Sequence, residues 1–361
     1  MPSRSSGRAA LLALMLAISG CGFYGVASVN GDIGRGAVAS ALNQANLVSK
    51  RFEGQQLTEQ QKDTPVVVAV HGFSATTFET LYSTGTTPQE ASASYNLENR
   101  GLLVSRVLMG GHNESSEAFG NSTWLDWQKP VLEEAEALQK LGFRHIDFLT
   151  VSTGGPILMQ ALLADKLAAR GVTPRRITMV APLLEFKDKT INLLGVLQTL
   201  GASNSPSPTN GVSRGHWYAD RPIGAVKQLL DLTEVVKGQL RGVVAGHIRP
   251  LAPGTKVLIV QSDGDGTVDA TSADIWLKGL RGPAAAATQA SGLVTQLKVV
   301  SGRHVPVGPP NLKGERGGKR VVDGVDYPTF EDVPDGQSWS DDEVRLRVRL
   351  IRQIGDFHVA R

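Results

Sequence analysis

Cysteine is almost absent. The 361 residues contain one, Cys21, which excludes an internal disulfide and every metal site built from cysteine pairs. The His-Glu-x-x-His zinc motif does not occur. Gly34-Arg35-Gly36 is too short for a dinucleotide fingerprint, and Gly314 to Arg320 lacks the Ser/Thr and the preceding strand of a phosphate loop. No internal repeat is present. After the N-terminal segment no stretch reaches ~18 consecutive apolar residues, as a further membrane-spanning helix would require. Charge of one sign is also scarce: the net value is +3, too small to indicate a nucleic-acid partner. Neither a metal nor a cofactor is implied. What remains is a chain with 41% apolar and 20% charged residues, ordinary for a globular protein and long enough for one large α/β domain or two small ones.

The N-terminus reads as a targeting segment. Arg4 and Arg8 supply positive charge, and Ala9 to Ile18 supply an apolar centre too short to span a bilayer. Ile18-Ser19-Gly20-Cys21 resembles a bacterial lipobox. The resemblance implies removal of residues 1–20, lipidation of Cys21, and a chain held at a membrane surface of the cell envelope. The alternative is a plain secretory signal and a secreted protein. Residues 21–60, rich in Gly, Ser, Asn and Gln, read as a tether and N-terminal segment in which Ala37 to Val48 could form a short helix.

Beyond the tether, strand-like and helix-like runs alternate. Thr64 to Val70, Leu102 to Met109, Phe143 to Val151, Arg176 to Val180, Thr255 to Val260 and Val294 to Ser301 read as strands. Helices are expected from Trp124 through Leu141, over the amphipathic stretch Pro222 to Gly242, and from Ser340 to Gly355. This alternation predicts an α/β fold: a mostly parallel central sheet with helices on both faces. Residues 61–182 and 255–361 form the core. Residues 183–254 form an insertion, placed as a helical cap over a pocket. Pro306 to Val325 reads as a basic, glycine-rich loop.

One junction organises the chain. Ile146 to Val151 is apolar, Ser152 follows, and Thr153-Gly154-Gly155-Pro156 leads into the helix-like Ile157 to Leu163. A serine at such a strand-to-helix apex stands clear of the sheet, at a helix N-terminus that favours negative charge. A hydroxyl is a weak nucleophile unless a base and an orienting carboxylate lie in reach. Two later turns supply them. Gln261-Ser262-Asp263-Gly264-Asp265-Gly266 offers Asp265, preferred over Asp263, and Gly302-Arg303-His304-Val305 offers His304, each directly after a strand. His71-Gly72-Phe73-Ser74 follows the first strand. The backbone amides of Phe73 and Thr153 are the candidate oxyanion donors.

With His71-Gly72-Phe73, Leu108-Met109-Gly110-Gly111-His112, Trp124-Leu125-Asp126-Trp127, the Ser152 elbow, the Asp265 turn, His304 and Tyr218-Ala219-Asp220-Arg221-Pro222 in place, residues 64–357 resemble an α/β-hydrolase. The group is that of monoacylglycerol lipases and serine-aminopeptidase-like enzymes, in a lipoprotein version. The resemblance implies an α/β-hydrolase fold and ester hydrolysis by Ser152, His304 and Asp265 under a helical cap. The substrate would be a small acyl ester or lipid. An acyltransferase, a thioesterase, a peptidase and a non-catalytic envelope binding protein are the alternatives. The chain departs from the pattern in having Thr150-Val151 where the group has Gly-His, and Asn113 in place of a glycine.

Overall fold

The computed structural model describes residues 46–84, 96–188, 204–206, 218, 220–282, 294–300, 303–308, 310–315, 317–333 and 336–360. The leader, Cys21, most of the predicted tether and parts of the 183–254 insertion lie outside the described residues.

Four valines and an alanine, Val66–Val70 (β1), are all buried, as expected of a strand covered on both faces. β1 pairs in parallel with Leu103–Val107 (β2) on one side and Ile146–Val151 (β3) on the other. Arg176–Val180 (β4) lies beside β3. Next in the chain, Asn204–Pro206 (β5) and Asp220–Pro222 (β6) form a separate antiparallel pair. Lys256–Ser262 (β7) and Val294–Val299 (β8) complete the main sheet. Its order is β2-β1-β3-β4-β7-β8, and every pairing is parallel. The strand order reverses between β1 and β3, so the loops after these two strands diverge and leave a crevice at their carboxyl ends.

The period of two along each strand sorts side chains between two cores. Val66, Val68, Val70, Phe148, Ile177, Met179, Val257 and Ile259 face one side. Packed there are the helices Trp124–Leu141 (α5), Gly154–Leu163 (α6), Ile223–Val244 (α7) and Thr271–Arg281 (α8). Val67, Ala69, Leu149, Val151, Val180 and Val260 face the other side, against Leu350, Ile351 and Ile354 of Asp341–Val359 (α9). Shorter helices are Val48–Arg51 (α1), Glu59–Asp63 (α2), Thr77–Thr84 (α3) and Ser116–Asn121 (α4). The predicted amphipathic helix is therefore α7. It lies against α6 and α8 and carries the chain from β4 across to β7. A parallel pair requires such a crossover.

Local chemistry sets the helix ends. Thr123 with Asp126 and Ser340 with Glu343 form capping boxes at the starts of α5 and α9. Pro130 lies inside α5 and has no N–H to offer the Asp126 carbonyl one turn back. Gly110, after β2, covers that carbonyl: a Cβ there would lie 2.3 Å from the Asp126 oxygen.

One expectation is corrected. Residues 306–325 are not simply a loop. Leu312–Lys313 (β9), Lys319–Val322 (β10) and Val325–Phe330 (β11) make a small sheet ordered β10-β11-β9. The β10–β11 turn is Asp323-Gly324, with φ of 49° and 80°. Positive φ at both central residues is the tight hairpin geometry that Asp-Gly favours. Leu312, Val322, Tyr327, Trp339 and Val344 give this unit its own core. His358, near the end of α9, is fully buried. Its Nδ1 is 3.0 Å from Asp147 Oδ2 and its Nε2 3.0 Å from Thr178 Oγ1. Arg175 also donates to Asp147, at 2.7 and 3.1 Å.

The His358 contact anchors α9 to the amino ends of β3 and β4. His358→Ala should cost about 2–4 kcal/mol, because it leaves the buried Asp147 carboxylate and Thr178 hydroxyl each short of a hydrogen-bond partner. Urea unfolding measures this. An unchanged midpoint would mean that Arg175 and the Arg176 amide satisfy Asp147 without it. Among the described residues, no helix is long and apolar enough to cross a membrane.

Candidate active site

The strand β3 ends by pairing with β4, and the Ser152 amide extends the sheet by one bond to the Val180 carbonyl, 2.9 Å. The chain then turns sharply. Ser152 has φ of 48°, the left-handed region that costs an L side chain energy and persists only where surroundings enforce it. Two glycines allow the enforcement. A Cβ at Gly154 would lie 2.7 Å from the Val70 carbonyl oxygen, and one at Gly155 2.9 Å from Pro182 Cβ. The start of α6 can thus press against the ends of β1 and β4. Thr150 fits where the resembling group has glycine, since its Oγ1 sits 3.8 Å from that Gly155 position and bonds weakly to the Thr178 carbonyl at 3.4 Å. Asn113 has φ of 59°, a conformation asparagine tolerates better than most residues, so it can stand in for glycine.

The three predicted side chains come together. His304 Nε2 is 3.1 Å from Ser152 Oγ, and His304 Nδ1 is 2.8 Å from Asp265 Oδ2. Ser152 is 6% exposed and Asp265 2%, while the His304 side chain is 26% exposed. The other Asp265 oxygen, Oδ1, accepts the Thr267 and Val268 amides at 2.7 and 2.8 Å. That turn is braced from outside: Lys187 N donates to the Thr267 carbonyl and Asp269 N to the Glu185 carbonyl. Asp263, the alternative acid, is exposed.

The His304 loop is clamped by α9. Arg303 reaches Glu343 at 2.8 and 3.3 Å and the Ser338 carbonyl at 2.8 Å. Fully buried Arg347 donates to the Gly308 carbonyl at 2.8 Å. Sequence reading assigned none of these arginines a part. Arg303 sits in a loop and Arg347 in a helix rich in charge, and the partner of each lies about forty residues away.

The loop after β1 is held by His71. Its Nδ1 lies 2.9 Å from the Gly72 carbonyl, and its Nε2 accepts the Met109 amide at 3.0 Å. This pattern needs the neutral ring protonated on Nδ1. Burial supplies neutrality, lowering the pKa to about 4. His112, buried beside Phe73, Phe119 and Trp127, is held well below its ordinary pKa by the same cause. Both histidines are therefore packing and loop-fixing groups. Of the candidate oxyanion donors, Phe73 lies in this loop. Thr153 caps α6, where helix amides have no acceptor within the helix.

One group near the serine escaped sequence reading. Glu79, in α3, is 4% exposed, and its Oε2 accepts the Gly72 amide at 2.5 Å. Among the described residues no cluster of His, Cys, Asp and Glu could hold a metal ion.

No protein-family model matches this sequence, and no curated protein does. Solved structures do resemble it. A soluble variant of monoglyceride lipase from Saccharomyces cerevisiae, in complex with a substrate analog, has a TM-score of 0.52 at 11% identity, covering 85% of this chain and 90% of that one. Paleococcus ferrophilus monoacylglycerol lipase gives 0.48 at 13%, covering 81% and 96%. A structure described with LipS and LipT, two metagenome-derived lipolytic enzymes, gives 0.49 at 17%, covering 66% and 84%. At such identities likeness speaks for architecture alone, and that architecture, a parallel sheet between helical layers with a helical insertion after β4, is the α/β-hydrolase fold.

Proposed function

We propose that this chain is a serine hydrolase cleaving carboxylic esters, acylglycerols among them, through an acyl-enzyme. One observation carries the reading: the continuous path from Ser152 Oγ through the His304 ring to Asp265, at the apex of a left-handed turn. Ser152 Oγ attacks the acyl carbon while its proton passes to His304 Nε2. Charge develops on the carbonyl oxygen, facing the Phe73 and Thr153 amides. Asp265 holds the resulting imidazolium in place. The tetrahedral adduct collapses, and His304 returns the proton to the departing alkoxide. Water then repeats the sequence, releasing the acid and restoring Ser152. These steps need no metal or cofactor.

The insertion 183–254 is proposed to cover the acyl pocket. Tyr218 supports this placement by joining both rim loops: its amide donates to the Ser74 carbonyl at 3.1 Å, and its hydroxyl to the Glu114 carbonyl at 2.9 Å. Its ring stacks on Phe119, centroids 4.8 Å apart.

A serine-directed fluorophosphonate tests the proposal. Oγ should displace fluoride and leave a phosphonylated peptide containing Ser152, with none formed by Ser152→Ala. An unlabelled wild-type protein, or label on another residue, would leave the chain as a binding module. A panel of esters, thioesters, acyl acceptors and peptides assigns the leaving group, with carboxylic esters expected to turn over fastest.

Lipidation of Cys21, and attachment to the cell envelope through it, belong to the same proposal. Cells fed radiolabelled palmitate should label the wild-type chain, and Cys21→Ser should lose the label and leave the membrane fraction. An unlabelled wild-type chain would favour secretion instead.

A further inference from the structure

Glu79 is an acid in a place that penalises acids. It lies in the first turn of α3, is almost fully buried, and has its carboxylate against the loop after β1. A Cβ added at Gly72 would lie 3.1 Å from Glu79 Oε2 on one side and 3.2 Å from Ser152 Cβ on the other. One backbone residue therefore separates this carboxyl from the nucleophile. The same residue is the peptide neighbour of Phe73. Burial drives Glu79 up to a pKa of about 7, against the opposing pull of the Gly72 amide and of His304. A buried leucine would avoid that cost, so the carboxyl's contact with the Gly72 amide calls for a functional account.

We propose that Glu79 is a positioning residue of the reaction, whose carboxyl grips the Gly72 amide and thereby aims the adjacent Phe73 N–H at the oxygen that gains charge. The inference rests on the serine-hydrolase reading and deepens it. The geometry is strict because the Gly72–Phe73 segment is held from two sides. His71 fixes it toward β2 through Met109, and Glu79 fixes it from α3. Releasing one hold lets the peptide plane rotate, and an oxyanion donor works only within a few tenths of an ångström of its target. The ground-state complex depends little on that bond, so the loss should fall on kcat and not on KM.

Steady-state kinetics on a short-chain ester test this. Glu79→Ala should lower kcat about 100-fold, with KM within about threefold of wild type. Glu79→Gln keeps an acceptor oxygen at the same reach and should restore kcat to within about tenfold of wild type. Glu79→Asp withdraws the carboxyl by one methylene and should behave like the alanine variant. It covers the case in which the alanine variant fails to fold. Circular dichroism and thermal melts establish that each variant is folded. Wild-type kcat in a folded alanine or aspartate variant would overturn the proposal, as would a glutamine variant no better than alanine. Fluorophosphonate labelling separates the two levels: an unlabelled wild type refutes the hydrolase reading itself. A labelled wild type with indifferent Glu79 variants refutes only the role of Glu79.

Discussion

Ser152→Ala should reduce kcat for a short-chain ester about a millionfold, and His304→Ala should do the same. The double variant should be no worse than either. This third result is the discriminating one. Ser152 Oγ and His304 Nε2 are joined by one hydrogen bond of 3.1 Å, and in the proposed acylation neither acts without the other: the hydroxyl needs its proton removed, and without the hydroxyl the imidazole has no nucleophile to activate. Losses that multiplied would mean two independent contributions to rate. A Ser152→Ala protein retaining a tenth of wild-type activity would end the assignment. Some rate above water should survive, because the Phe73 and Thr153 amides would still polarise a bound carbonyl.

Asp265→Asn should lower kcat about 10⁴-fold, although it changes the side chain by little more than one proton. The cause lies in the turn. Two amides, Thr267 and Val268, point at Oδ1 from 2.7 and 2.8 Å, so the oxygen of an asparagine must take that position. Its NH₂ is then directed at His304 Nδ1, which can accept only if the ring carries its proton on Nε2. That proton would face Ser152 Oγ and prevent the ring from acting as a base. Asp263→Asn, two residues earlier and exposed, should stay within about twofold of wild type. Comparable losses in the two variants would show that the turn as a whole, and not one carboxylate, is required.

The parts legible from sequence share a physical trait: each is announced by residues adjacent in the chain. Apolar runs ending in glycine, serine or aspartate marked the strands and the turns that follow them, so Ser152, Asp265 and His304 could be proposed as a set. The Asp323-Gly324 hairpin was equally local but was passed over, because the glycines and basic residues around it look loop-like. Glu79 had no local mark. Nothing in the order of residues from Thr77 to Thr84 sets its acid apart, and it is the approach of the loop after β1 and the Ser152 elbow that makes it a buried neighbour of the serine. The contact of His358 with Asp147 spans 211 residues, a separation at which composition and periodicity carry no information. The departures at Thr150 and Asn113 became intelligible only with backbone angles and neighbours in view.

The helix α9 has a consequence for how the protein comes into being. It touches the molecule at two ends, at Asp147 through His358 and at the His304 loop through Arg347 and Glu343. Translation delivers the serine first and this helix nearly two hundred residues later. If Ser152 and His304 act as proposed, a growing chain would hold its alcohol without a seated proton acceptor until α9 has emerged and docked, and would gain its reactivity only then.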